Sequence, residues 1–592
     1  MKFHELAKYL EQLEKEQSRN IKTQVLAKLF KSATGQEVSE ICFLLQGRVA
    51  PLYVPLEFGL ADKMLVKAIA KVLKQSAEAV QKEYKKVGDL GTVTEKLMLA
   101  GRHIKEGNAS VSEIYADLKK LAQSGGAGSQ EEKINLLSRL ISEVGPLSAR
   151  YLVRIPLGKL RLGFSDMTIL DGLSYMLVGN KGQKKHLEEA YKVRPDLGVL
   201  ARTVKEKGVK GLGQMLPEPG TPILMARANR LTSAEEIILK IGRSAIEYKY
   251  DGLRLQVHKK GRQVWLYSRN LEEMTNMFPD IKAAVLKQVT ADEVIFEGEV
   301  VAYNPQSHVF MPFQETMQRK RKYDIETKAA EIPVILFAFE LLFCQGKNYI
   351  NQPYEERKKK LKQILRGGKV IEYAQEEIVT DSQSIEKIFD ASVTKHFEGI
   401  IAKKLSGVYE AGMRGWNWIK YKKAMDMKLV DTLDVLVMGY TKGQGKRTSF
   451  GVGQFLTGAY NEKTGKFLTV TKIGTGLTDE QFREFYKRVQ KLHTAAKPQE
   501  YEVDKLLHPD IWLKPKLVVE VSCDEITRSA VHTAGRVMQP SKSGKAFEVK
   551  TPGFALRFPR LVRFRDDKRP EDATTIKEVE QIFDLQKRHQ IK

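Results

Sequence analysis

Cysteine is nearly absent: Cys42, Cys344 and Cys523 are the only three in 592 residues. They lie far apart and form no CxxC pair. That excludes a disulfide scaffold, a thiolate metal site and a dithiol redox centre. Each is expected to be a small buried hydrophobe in a reducing compartment. Long apolar runs are also missing. The most apolar stretch, residues 332–344, is broken by Glu340 and falls well short of the roughly 20 residues of a spanning helix. The opening MKFHELAKYLEQLEKEQ carries charge throughout and has no apolar leader core. These absences predict a cytoplasmic chain that does not enter a membrane. Acidic charge is in deficit, with 73 Asp and Glu against 98 Lys and Arg, a net +25. Such an excess points to a polyanionic partner, because neutralising phosphates releases counterions and gives sequence-independent affinity.

Apolar residues make up 42% of the chain and charged residues 29%, too apolar for a disordered protein. The length predicts about three to five domains at roughly 100–200 residues each. Residues 1–212 read as all-α: Leu6, Leu10 and Leu13 recur at helical spacing, as do the apolar residues of 134–141. SGGAGS (124–129) is a loop inside this region. GQMLPEPGTP (213–222), with its three prolines, marks a junction. Residues 213–426 read as α+β, with strands at 245–250, 254–258, 264–268, 294–303 and 334–343 and a helix at 354–365. Residues 427–592 carry short strands at 433–440, 455–460, 467–473 and 518–523 around one helix at 479–493, then a last helix at 576–587. That plan suits a small β-barrel of the OB type. TKGQGKRTSFG (441–451) lacks a complete phosphate-loop pattern and is expected to be a hairpin or barrel loop.

The segment EYKYDGLR (247–254) carries the first chemical signal. Lys249 ends a strand and precedes the turn pair Asp251-Gly252, and Arg254 starts the next strand. A lysine aimed into a cleft becomes a nucleophile once its amine is partly neutral, which burial and neighbouring cations favour. Alone, KxDGxR could equally be a hairpin with a surface Lys and Arg. An ordered set follows it: SRN (268–270), FEGEVV (296–301), FAFELL (337–342), EGIIAK (398–403), WIKYK (418–422), and RFPRLVRFRDDK (557–568). WIKYK puts Lys420 and Lys422 on one face of a strand.

With these motifs in this order, the chain resembles the covalent nucleotidyltransferases, and among them the archaeal, replicative type of ATP-dependent DNA ligase. The resemblance spans essentially the whole chain, and RIPLGKLRLGFSD (154–166) is similar to part of that family's DNA-binding domain. It implies a helical DNA-binding domain, an adenylylation domain and a C-terminal OB-fold. Lys249 would attack ATP and carry AMP. Glu247 and Phe339 would contact and stack on the base, and Arg254 would reach the sugar or phosphate region. Arg269, Lys403, Arg414, Lys420 and Lys422 would contact phosphate. Glu299 and Glu398 would hold Mg²⁺, a hard cation that suits carboxylates. Arg557 and Lys568 would grip the phosphate tail of ATP. The implied partner is nicked double-stranded DNA, bound by a monomer through phosphate and groove shape, in replication, repair and recombination. A sliding clamp is a further implied partner, yet no QxxhxxFF peptide stands out, and QVLAKLF (24–30) approximates one poorly. Glu340 stands where the family pattern leads one to expect Asp.

RKRK (319–322) and RKKK (357–360) match no motif and read as solvated helix faces. Two other functions stay open. An mRNA-capping guanylyltransferase or an RNA ligase shares KxDGxR, although the long helical region in front argues against both. A non-catalytic DNA clamp would have lost its nucleophile or its acids first.

Overall fold

The computed structural model describes all residues except 102–105, 127, 305, 307, 308, 312, 320–324, 396, 423–431, 444–446, 448, 449, 476, 541–546 and 592, and except the side chains of 314 and 586–591. The chain divides into two compact units, Met1–Lys423 and Ala424–Lys592.

The first unit begins with helices that run from Phe3–Lys15 to Leu197–Lys207. Their apolar stripes meet in one core, where Leu6, Leu10 and Leu13 are at most 1% exposed. Local signals set the helix ends. Thr34 and Glu37 close a capping box, and so do Ser110 and Glu113. The glycine-rich loop at 124–128 joins the helices Val111–Gln123 and Ser129–Ser142. Arg154 is buried between Asp89, 2.5 Å away, and Glu14, 2.8 Å away. The QVLAKLF segment lies within the helix Arg19–Ser32, and its Leu26, Leu29 and Phe30 are wholly buried in this core. Among the described residues no helix is long and apolar enough to cross a membrane.

The proline-rich segment then leads into the strands β1 (Arg227–Arg230), β2 (Ser244–Lys249), β3 (Leu253–Lys260), β4 (Gln263–Ser268), β5 (Glu293–Ala302), β6 (Val334–Cys344), β7 (Lys347–Asn348), β8 (Ile371–Tyr373), β9 (Glu376–Val379), β10 (Gly399–Lys404) and β11 (Arg414–Lys422). They build two sheets. One has the order β1-β11-β10-β2-β9, the other β4-β3-β5-β6-β7 with β8 beside β6. An apolar layer containing Tyr250, Val301, Phe337, Phe339, Phe397 and Trp418 draws on both sheets. β2 and β3 are consecutive but lie in different sheets, so the turn at Asp251-Gly252 carries the chain from one sheet to the other.

Two sequence expectations fail in part here, while Lys359 is exposed as expected. Arg319 is 1% exposed, with its guanidinium 2.7 and 2.8 Å from the two carboxylate oxygens of Asp280; residues 320–322 lie outside the described residues. Arg357 and Lys358, on the helix Tyr354–Ile364, are buried as well. Arg357 forks onto Glu340 at 2.7 and 2.9 Å. A buried cation is tolerable when a carboxylate meets it in this bidentate way. This pair also gives Glu340 a structural place, beside the bulge that β6 makes against β5 at Phe339.

The second unit holds β12 (Leu433–Thr441), β13 (Gln454–Asn461), β14 (Lys466–Ile473), β15 (His493–Thr494), β16 (Tyr501–Glu502), β17 (Ile511–Leu513), β18 (Val518–Ser522), β19 (Glu525–Ser529), β20 (Val537–Pro540), β21 (Phe547–Thr551), β22 (Gly553–Arg557) and β23 (Arg560–Phe564). β12 and β13 form an antiparallel hairpin across the 441–451 turn, part of which is not described. The main sheet runs β15-β17-β12-β13-β14-β16, with β18 and β23 branching from β12. The helix Asp479–Val489 packs Phe482, Phe485 and Val489 into its core. The plan is OB-like, but among the described residues no ladder joins the end strands β15 and β16, so the sheet is open.

Candidate active site

Lys249 is the last residue of β2, and two glycines make its surroundings possible. A Cβ on Gly252 would sit 2.2 Å from the Val300 carbonyl oxygen. Only glycine lets the turn after Lys249 press against β5, next to Glu299. Gly399 has φ +136°, and its Cβ would lie 2.3 Å from the Tyr421 carbonyl oxygen. That conformation and that approach both demand glycine. Gly399 is registered with Lys249 on one side and with Lys422 on the other. The preceding residue, Glu398, therefore lies between two lysines. Its Oε2 is 2.8 Å from Lys249 Nζ and pairs with Lys422 Nζ as well.

Three acids gather here, and they divide their protons unequally. Burial would raise Glu398, but Lys249 and Lys422 outweigh it and hold the carboxyl at about 2. Asp251 is pushed up by burial and by Glu398, to which it is hydrogen-bonded. Glu299 rises to about 7 through burial, with Glu398 and Asp251 adding to the rise and Lys249 and Arg254 opposing it.

Cations without acids make up the rest of this wall. β1 runs parallel to β11, with Arg227 opposite Arg414 and Arg230 opposite Lys420. Like charges directly opposite each other are destabilising. Among the described residues Arg230, Arg414 and Lys420 have no carboxylate partner. Lys420 is shifted down by burial and then by Lys422, Arg414, Lys249 and Arg230. Arg269 is lowered by burial and by Arg254, Arg227 and Arg414. An anion of several charges is what this arrangement lacks. Arg227 and Arg230 were not singled out in the sequence, because a four-residue strand outside any motif gives little signal.

On the other side lies an aromatic pocket. Phe339 on β6 is 9% exposed, and its ring meets Trp418 edge to face at 6.0 Å. Arg254 stands 5.4 Å from the Phe339 ring, donating to Glu297 Oε2 at 2.6 Å and to the Ala226 carbonyl at 2.7 Å. Lys403 is buried beneath the same ring, 4.8 Å from its centre, and pairs with Glu247 at 2.6 Å. Thus Lys403 stands apart from the phosphate-seeking cations, beside the base-stacking candidate. Glu247 is also buried. Burial would raise it, yet Lys358 and Lys403 prevail and its net shift is downward.

Among the described residues no group of three or more His, Cys, Asp or Glu converges in a metal-holding cluster. Mg²⁺ needs no such cage, since it commonly takes one or two carboxylates and completes its shell with water and substrate phosphate. Glu299, raised by burial and by the acids beside it, and the neighbouring Glu398 fit that role. In the second unit Arg557 pairs with Glu525 at 2.9 Å and Lys568 with Asp434 at 2.6 Å.

Three family models match this chain. One described as DNA ligase N terminus covers residues 2–174, one described as ATP dependent DNA ligase domain covers 225–422, and one described as ATP dependent DNA ligase C terminal region covers 448–568. A probable DNA ligase of Dictyoglomus turgidum is 42% identical over 100% of this chain and 99% of its own length. The DNA ligase of Pyrobaculum calidifontis is 39% identical over 99% of both chains, and that of Saccharolobus solfataricus 36% over 100% and 98%. A solved structure named Pmar-Lig_PreS3 has the same overall fold, with a TM-score of 0.53 at 18% identity over 94% of this chain and 99% of its own. The three matching family models and the full-length likeness to archaeal ligases lead to one conclusion: the chain belongs to the ATP-dependent DNA ligase family.

Proposed function

We propose that this ligase seals nicks in duplex DNA through an AMP-bearing Lys249. The observation that carries the assignment is the wall around Lys249, where, among the described residues, Lys249 and Lys422 share the carboxylate of Glu398 while Lys420, Arg414 and Arg230 have no carboxylate partner. In the first step Lys249 Nζ attacks the α-phosphorus of ATP. The N–P bond forms, the α–β bridging P–O bond breaks, pyrophosphate leaves and the amine loses a proton. In the second step an oxygen of the 5′-phosphate attacks the adenylyl phosphorus, which frees Lys249. In the third step the 3′-hydroxyl attacks that 5′-phosphorus, AMP departs and the hydroxyl proton is lost. All three are transfers at phosphorus, so positioning and cationic stabilisation do most of the work.

Lys420 and Lys422 face the transferring phosphate, and Arg269 and Arg414 extend the contact. Phe339 stacks on the base, Glu247 contacts its edge, and Arg254 reaches the sugar or phosphate from its anchor on Glu297. Glu299 and Glu398 would hold Mg²⁺, which supplies charge neutralisation at phosphate oxygens. Arg557 and Lys568 would exchange their present acids for phosphate. A monomer and a sliding-clamp partner are supported by family resemblance.

The test uses ATP labelled at the α-phosphate, Mg²⁺ and protein freed of bound AMP. Label should remain on the denatured chain, vanish in Lys249→Ala and discharge onto nicked DNA. Labelling by GTP but not by ATP would move the chain to the capping enzymes, and no labelling by either would defeat the proposal.

A further inference from the structure

Glu247 does not reach its site unaided. It is registered opposite Glu376 across β2 and β9, a like-charge pair that would repel if left alone. The helix Tyr354–Ile364 covers both acids. Tyr354 and Lys358 lie one turn apart, on the same face of that helix. The Tyr354 hydroxyl is 2.7 Å from Glu247 Oε1 and 2.6 Å from Glu376 Oε2, so its one proton is shared between them. Lys358 Nζ donates to Glu247 Oε1 at 2.7 Å and to the Ala374 carbonyl at 3.0 Å, and stands 3.9 Å from Glu376. Lys403, from β10, takes the other oxygen, Glu247 Oε2, at 2.6 Å. Tyr250 is a further titratable group under Glu247's influence. All four central residues, Glu247, Tyr354, Lys358 and Lys403, are at most 3% exposed.

Such a network is an expensive way to fill a core, because well-packed apolar residues would serve as well or better. Its location supplies a reason. Lys403 touches both Glu247 and the face of Phe339, so the carboxylate lies next to the base-stacking ring. A carboxylate has about four acceptor positions, and here three donors occupy part of that capacity. A charged acceptor facing a purine edge favours a 6-amino group, which donates, and rejects a 6-oxo group, which does not.

We propose that Tyr354 and Lys358 are positioning residues for base selectivity, holding Glu247 as a fixed, charged acceptor that favours a 6-amino over a 6-oxo purine nucleotide. This rests on the reading that Phe339 and Glu247 line the base site. Lys358 is the strongest influence keeping Glu247 ionised against burial. Without it the carboxyl can take a proton and donate to the 6-oxo oxygen.

The test measures kcat and KM for labelling of Lys249 by α-labelled ATP and by inosine triphosphate, using the full chain freed of AMP. The wild type should prefer ATP by about 100-fold or more, as expected for a site built around a substrate hydrogen bond. Tyr354→Phe and Lys358→Met should each cut that ratio tenfold or more, raising KM for ATP. Lys358→Met should also use inosine triphosphate better at pH 6 than at pH 8. Lys359→Met, an exposed charge on the same helix, should leave the ratio unchanged. Glu247→Gln, whose amide can donate, should collapse the ratio. If Glu247→Gln has no effect on it, the base-site reading itself fails. If Glu247→Gln collapses the ratio while Tyr354→Phe and Lys358→Met keep it within twofold, or lose both nucleotides equally, the positioning proposal is overturned. Should Lys358→Met fail to fold, Tyr354→Phe decides, since it removes a single hydroxyl.

Discussion

Glu299→Gln should make the metal-free protein more stable at pH 8 while abolishing its use of Mg²⁺. The wild-type carboxyl rises from 4.5 to about 7, chiefly through burial. The folded chain therefore binds that proton more tightly than the unfolded chain. The stabilisation is present below pH 4.5 and is lost as the pH climbs through about 7. Keeping the group charged at pH 8 costs about 3 kcal/mol by this linkage. Water reaches the edge of Glu299, so about 2 kcal/mol is the expected size. The amide of the variant would keep the shape without the charge. Urea unfolding in a chelator, followed by tryptophan fluorescence, reads the effect, because Trp265, Trp416 and Trp418 all lie in the first unit. Wild type and variant should match at pH 5 and differ at pH 8, with the variant the more stable. Mg²⁺ should then stabilise the wild type and not the variant. Equal stability at both pH values, or a less stable variant at pH 8, would refute the reasoning about this carboxylate.

Two further substitutions test the frame around the site. Arg357→Met leaves the Glu340 carboxylate buried without its partner and should destabilise the first unit by about 3–5 kcal/mol in the same unfolding assay; adding Glu340→Gln should recover part of that loss, and no recovery would mean the pair is not the cause. Gly399→Ala forces a Cβ into the Tyr421 carbonyl at φ +136°, which should cost about 1–3 kcal/mol and, by shifting Glu398 away from Lys249 and Lys422, slow AMP labelling of Lys249 at least tenfold; unchanged labelling would show that this register is not needed.

Local order was readable where it depends on neighbours in the chain. Strand-turn-strand at Lys249 follows from alternation and from Asp251-Gly252. Period two fails at Phe339 and Glu340: the register of β6 against β5 slips there, Glu297 pairing with Glu340 and Gly298 with Ala338, so alternation alone does not sort one residue to the pocket and the other to Arg357. What the sequence hid was the choice of ionic partner. Lys358 reads as a surface charge until Glu247, separated from it by 111 residues, is folded against it. Arg319 reads the same way until Asp280 meets it, and Arg230 is unremarkable until β1 lies beside β11. Partner choice is a long-range property, and residue spacing carries little of it. For the same reason the net charge of +25 could suggest a polyanion but could not locate one. Arg319 and Arg357 have each found an acid and are spent on the fold. Lys249 and Lys422 share one acid, and Lys420, Arg414 and Arg230 have none among the described residues. A cluster left short of counter-charge, at strand ends that two glycines bring together, is a stronger sign of a phosphate site than any count of basic residues.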